Sequence, residues 1–146
     1  MTTKVLFVCT ANLCRSPMAE GVFRSLAERA GVADAFEIAS AGTSDAFVGR
    51  PPTPEAIDVA ASRGYDISAI RSRQIVTDDI VRFDYPLAMD SRHLVEMRWL
   101  VQGPVRAPGA CGQSGHLSPS SPRRFSTLKV SRETSLSYLL WGRLPQ

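Results

Sequence analysis

One run of residues constrains this chain more than any other: Val5-Leu6-Phe7-Val8-Cys9-Thr10-Ala11-Asn12-Leu13-Cys14-Arg15-Ser16-Pro17. Val5 to Val8 reads as a short strand buried on both faces. Cys9 stands at its carboxyl end, and Arg15 follows six positions later. Ser16-Pro17 then opens a helix, with Ser16 as the N-cap and Pro17 in the first turn. The five residues between Cys9 and Arg15 suffice to wrap a loop around a tetrahedral oxyanion. The amide groups of Thr10, Ala11, Asn12, Leu13, Cys14, Arg15 and Ser16, together with the helix N-terminus, would point at that anion. Arg15 would grip two of its oxygens with a planar fork. The same positive field would favour the thiolate of Cys9, the form that acts as a nucleophile. The pattern predicts a phosphate-transfer site. A Cys-x5-Arg spacing alone recurs by chance, and a Cys ending a buried strand is often only a small hydrophobe. Here the strand before and the helix after supply the context such a motif requires.

Further along, Pro17 to Ala30 has apolar Met18, Val22, Leu26 and Ala30 at helical spacing, with Glu20, Arg24 and Glu28 on the other side. Gly31 closes it. Phe36 to Ser40 reads as a second strand, and residues 41–54 as a Gly- and Pro-bearing loop. Thr53 is the expected cap of a helix over Glu55 to Arg63, closed by Gly64. Residues 65–78 are mixed. Phe83 to Met89 reads as a third strand, and Asp90-Ser91 begins a helix through Leu94 and Met97. Strands alternating with helices imply an α/β fold with a parallel, helix-covered sheet. Such sheets bind ligands beyond the carboxyl ends of their strands, where Cys9 lies.

Character changes near Arg98. Residues 1–97 carry 10 basic and 13 acidic side chains, whereas residues 98–146 carry 7 and 1, a shift from −3 to +6. The expected organisation is therefore a domain over 1–97 and an atypical basic tail over 98–146, rich in Gly, Pro, Ser and Arg. Ser135 to Trp141 is a brief apolar run of ambiguous type. No apolar run is long enough for a membrane span, and the N-terminus lacks a signal-peptide core, so a cytoplasmic location and no membrane partner are expected. Cysteines at 9, 14 and 111 show neither disulfide nor metal-ligand spacing. The scattered tail cations lack aromatic interleaving and give weak support for a nucleic-acid partner.

Over about residues 4–97 the sequence resembles the low-molecular-weight protein-tyrosine phosphatases. The resemblance runs through Val8 to Glu20, then Ser40-Ala41-Gly42-Thr43, Val48-Gly49-Arg50-Pro51-Pro52, Arg73-Gln74-Ile75 and Phe83 to Asp90. It implies a flavodoxin-like parallel sheet, four-stranded in the family, with helices on both faces, and hydrolysis through a phosphocysteine. By the resemblance Cys9 is the nucleophile and Arg15 the phosphate clamp. Asn12 holds the loop's unusual backbone, and the Ser16 hydroxyl stabilises the thiolate. Cys14 is the neighbouring cysteine that can pair reversibly with the nucleophile, or else a small packing residue. Leu13 and Phe47 would wall the site of a phenyl phosphate. The family's arginine phosphatases carry Thr where Leu13 stands, which favours tyrosine. The implied partners are phosphotyrosine proteins or small aryl phosphates, with inorganic phosphate and other oxyanions as ligands. No metal or organic cofactor is implied.

Two positions depart from the family's pattern. Ile70 stands where a His is common. No Asp follows Asp90, whereas the family draws its general acid from an Asp-Pro-Tyr type loop near the C-terminus. Neither Asp45 nor Glu133 is an evident substitute, so no general acid is named. The tail also lacks a pattern for the family's last strand and helix, which can leave the sheet incomplete at that end. A stretch translated out of frame and a diverged basic tail both fit the shift. The expected function is phosphotyrosine hydrolysis, impaired for want of the acid. The alternative is a pseudophosphatase that binds phosphate or phosphotyrosine. Arsenate reduction has less support, because residues 75–100 contain no Cys.

Overall fold

The computed structural model describes residues 1–102. Cys111, Glu133 and the run 135–141 lie outside the described residues. The chain forms β1 (Thr3–Cys9), α1 (Arg15–Arg29), a short 3-10 turn (Ala33–Ala35), β2 (Phe36–Gly42), α2 (Pro54–Ser62), α3 (Thr77–Arg82), β3 (Tyr85–Ala88) and α4 (Ser91–Gln102). The last helix runs through position 97, across the compositional boundary.

β1 is the central strand. It pairs in parallel with β2, from Thr3 opposite Phe36 to Cys9 opposite Gly42, and with β3, from Val5 opposite Tyr85 to Val8 opposite Ala88. The spatial order is β2-β1-β3, and these are the three strands among the described residues. A fourth, expected from the family, is not among them.

β1 is apolar at successive positions because both of its faces are covered. Leu6 and Val8 pack with Ile75, Phe83, Leu94 and Met97 on the side of α3 and α4. Val5 and Phe7 pack with Ala19 and Phe23 of α1 and with Phe36 and Leu87. Burying each such side chain contributes about 1.5–3 kcal/mol before entropic costs.

The helix predictions hold in placement and need correction in detail. Ser16 does not cap α1. It is the second helical residue, the N-cap position is Cys14, and no side chain caps the helix. The Ser16 hydroxyl is instead engaged inward, at Cys9. Of the expected stripe of Met18, Val22, Leu26 and Ala30, Val22 is buried and Met18 half-buried, but Leu26 and Ala30 are exposed. Leu26 is 51% exposed, while Ala19, Glu20, Gly21, Val22 and Ala27 are buried. The reason is that α1 lies between the sheet and the Ile67 segment and buries two sides. A Cβ on Gly21 would fall 2.4 Å from Ile67 Cγ2. Thr53 does cap α2, its hydroxyl accepting from Ala56 N–H at 3.3 Å. Gly31 and Gly64 follow α1 and α2 in the left-handed region, at φ 70° and 81°. The segment read as mixed leads into α3, where Asp79 accepts from the Val76 N–H at 2.9 Å.

From β1 the chain passes first to β2 on one side and later to β3 on the other. The crevice beyond the carboxyl end of β1 is therefore a topological switch point, where open α/β sheets accommodate ligands.

Candidate active site

Residues 10–14 link β1 to α1 at this crevice. Asn12 is fully buried and adopts φ 55°, a left-handed conformation that costs a non-glycine residue energy unless its surroundings enforce it. Its side chain is enforced at every polar atom. Nδ2 donates to Ser16 Oγ at 2.8 Å and to Ser40 Oγ at 2.9 Å, and Oδ1 accepts from Arg73 N–H at 3.1 Å. Ser40 donates onward to Glu20 Oε2 at 2.5 Å, and Glu20 also accepts from Arg24. This chain orients a proton. Because Ser16 Oγ accepts from Asn12, its own hydrogen is free to donate. The partners in reach are Cys9 Sγ at 3.0 Å and the Ala41 carbonyl at 3.4 Å. The nearer one is the buried sulfur.

The loop is held from outside by its carbonyls. Those of Cys9, Thr10, Ala11 and Leu13 accept from Thr43 N–H, Ser44 N–H, the Ser72 hydroxyl and Thr53 N–H, at 2.8–3.0 Å. In a trans peptide the N–H opposes the C=O. With these carbonyls turned outward, the N–H groups of Thr10, Ala11, Asn12 and Cys14 face the inner side, an arrangement suited to an anion. Gly42 permits this packing: a Cβ there would lie 2.6 Å from Thr10 O and 3.0 Å from Ala11 C.

Arg15 enters from the first turn of α1 and donates from Nη1 to Asp90 Oδ2 at 3.0 Å, with both side chains partly exposed. Asp90 Oδ1 meanwhile caps α4, accepting from Arg92 N–H at 3.0 Å and His93 N–H at 3.1 Å. Burial works against ionisation of Asp90. The bonds from His93 N–H and Arg15, and the charges of His93 and Arg15, nonetheless hold its carboxyl below the usual range. His93 is fully buried. Desolvation pushes its imidazole below the ordinary histidine value, although Asp90 and Glu96 pull the other way. Its Nε2 lies 2.8 Å from Thr10 Oγ1.

The structure thus brings Cys9, Thr10, Asn12, Arg15 and Ser16 into one constellation. Leu13 and Phe47 are half-buried on the loop and on the flanking 43–50 segment, with Arg50 over the Phe47 ring at 5.9 Å. Cys14 is exposed, 3.5 Å from Thr53 Oγ1, and both it and Cys9 are free thiols. A pocket of about 250 Å³ is lined by Thr10, Thr43, Ser44, Glu96 and Leu100. Sequence reasoning missed Ser40 and Glu20 as a buried relay, Asp90 as the Arg15 partner, and His93. The Asp-x-x-His spacing at a helix start was the available signal for the last two.

A family model described as low molecular weight phosphotyrosine protein phosphatase matches residues 4–106. The low molecular weight phosphotyrosine protein phosphatase of Sus scrofa is 43% identical over 97 residues, covering 66% of this chain and 61% of that protein. Among solved structures, YfkJ from Bacillus subtilis aligns with a TM-score of 0.68 at 35% identity, over 69% of this chain and 64% of that one. Vibrio vulnificus Wzb in complex with benzylphosphonate aligns with a TM-score of 0.61 at 28% identity, over 68% and 66%. The chain spans about three-fifths of the length of the curated relatives it matches.

Proposed function

The chain belongs to the low molecular weight phosphotyrosine protein phosphatase family, and from that premise we propose that it is a phosphotyrosine protein phosphatase acting through a phosphocysteine. Cys9 Sγ attacks phosphorus, forming the S–P bond as the bond from phosphorus to the phenolic oxygen breaks and the phenolate leaves. Arg15 and the amides of Thr10 to Ser16 hold the equatorial oxygens. Water then attacks phosphorus, the S–P bond breaks, and inorganic phosphate and the Cys9 thiolate are released. Ser16 stabilises that leaving thiolate. Asn12 keeps the loop in its left-handed turn, and Leu13 and Phe47 flank the aryl group. The loop amides and Arg15 supply the positive charge, so the reading requires no metal or cofactor. Phosphotyrosine proteins or small aryl phosphates are the substrates, phosphate and other oxyanions the simple ligands, and the cytoplasm the location. The observation that carries the reading is the Ser16 hydroxyl 3.0 Å from Cys9 Sγ, with Asn12 donating to the same oxygen.

Turnover of phosphotyrosine by these 146 residues is slow on this reading, because no Asp follows Asp90 to protonate the phenolate. Positioned acid catalysis is worth about 10²–10⁴-fold. The same observation favours, as a second reading, a phosphate-binding pseudophosphatase. p-Nitrophenyl phosphate hydrolysis by the purified chain and its Cys9→Ser variant tests both. Activity lost in the variant supports the enzyme. No turnover, with vanadate or phosphate raising the thermal midpoint, supports the binder. Neither turnover nor binding sinks both. Within the enzymatic reading, phosphotyrosine should fall further below an intact relative's rate than p-nitrophenyl phosphate, whose leaving group needs less protonation. Equal shortfalls would overturn the missing-acid account.

A further inference from the structure

We propose that His93 is a positioning residue for the oxyanion loop, holding Thr10 through Nε2 and steadying Arg15 through the Asp90 carboxylate that faces both. For its kinetic consequences this rests on the phosphatase reading.

His93 occupies a core position of α4, with no exposed surface, between the sheet-packing residues Leu94 and Met97 on one side and the loop on the other. An apolar side chain would fill such a site without polar atoms to satisfy. The imidazole has no well-aligned partner at Nδ1, which lies 3.2 Å from Asp90 Oδ1, and it makes one short bond from Nε2 to Thr10. The charges around it are Asp90 and Arg92 at the start of α4, Glu96 one turn on, and Arg15 from α1. With a carboxylate at Nδ1, the proton belongs on Nδ1, and Nε2 accepts from the Thr10 hydroxyl. Thr10 Oγ1 in turn accepts from Arg92 Nη2 at 3.3 Å. Each group then has one role, and Thr10 is locked.

Thr10 is the first residue after Cys9, and its N–H faces the inner side of the loop. Releasing its side chain frees the amide nearest the attacking sulfur. Asp90 Oδ1 accepts from the backbone N–H of His93 and lies 3.2 Å from its Nδ1, while Oδ2 accepts from Arg15.

The test compares the full chain with His93→Gln, His93→Leu and Thr10→Val by p-nitrophenyl phosphate kinetics, thermal unfolding and imidazole nitrogen-15 chemical shifts. The chain has two histidines, and the His93 variants identify the signal. His93→Leu should lower kcat by about 10- to 100-fold, the scale of a misplacement near 1 Å. His93→Gln, whose amide oxygen can still accept from Thr10, should recover most of that rate. Thr10→Val should lose a similar factor, and Thr10→Val with His93→Leu should lose no more than either alone, since both cut one contact. If His93→Leu does not fold, the imidazole nitrogen shifts of the parent chain and Thr10→Val decide the matter. Additive losses, or equal losses in the Gln and Leu variants, would reduce His93 to core packing. If the parent chain neither turns over nor binds vanadate, the phosphatase reading fails separately. The nitrogen shifts then judge the contact: an unprotonated Nε2 that moves in Thr10→Val upholds it, and a protonated Nε2 overturns it.

Discussion

Asn12 shows how much one residue can decide. Its φ of 55° and its bonds to Ser16, Ser40 and the Arg73 amide make a single side chain the link between the loop, β2 and the segment before α3. Asn12→Ala removes these bonds and leaves buried partners unsatisfied, so it should destabilise the fold by about 2–4 kcal/mol. Urea unfolding would measure this, and an unchanged midpoint would mean the loop supports itself. Gly42→Ala should cost about 1–3 kcal/mol by overpacking, because its Cβ meets backbone atoms of the loop that cannot swing away. His93 gives a pH dependence of defined sign. Its proton affinity is lowered in the fold by desolvation, so the unfolded chain binds the proton more readily. Stability is then full above the ordinary histidine value of about 6.5 and declines as pH falls through it. His93→Gln should remove that decline, and a variant that keeps it would place the titration elsewhere.

At the scale of elements, β1, β2, β3, α1, α2 and α4 were legible because each has a local signal: an apolar run, a Gly after a helix, a Thr-Pro cap, an Asp-Ser start. α3 was not. Its six residues are too few for periodicity, and its anchor is Arg73, which donates to both oxygens of Asp79 at 2.8 and 3.0 Å. Arg73 also supplies the amide that Asn12 accepts and the carbonyl that Gly42 N–H bonds, so this ion pair ties α3 to the loop. Burial opposes ionisation of Asp79, but the bonds from Arg73 and the Val76 N–H, with the charges of Arg73 and Arg82, keep its carboxyl below the usual range. The stability it contributes is present above about pH 3.9 and lost as pH falls through the lowered value. Asp79→Asn should cost about 1–2 kcal/mol at neutral pH, the lower part of the range for charged hydrogen bonds because Arg73 is partly exposed. A chemical-denaturation series over pH 3–7 would show the loss at neutral pH shrinking in acid. A constant difference would deny the ion pair its role.

For the whole molecule, an oxyanion that binds only the folded loop should raise stability by RT ln(1 + [L]/Kd), about 2.7 kcal/mol at a hundredfold excess over Kd. Thermal shifts with vanadate should vanish in Arg15→Ala, and a shift that persists would locate the anion outside the loop. No helix among the described residues is long and apolar enough to cross a membrane. The sequence alone determined the strand-loop-helix around Cys9 and the parallel α/β architecture, and its spacing pointed to Cys9 and Arg15. It could do so because these rest on short-range spacing and hydrophobic runs, whereas the roles of Asn12 and Ser16 came with the family resemblance. Only the tertiary structure decided that Ser16 does not cap the helix, and that α1 buries Glu20 and exposes Leu26. It likewise decided that Asp90 and His93, some eighty residues along the chain, close on Arg15 and Thr10. Such pairings depend on which elements the sheet order brings side by side; a local pattern such as Asp-x-x-His marks the helix start but not the partners it meets.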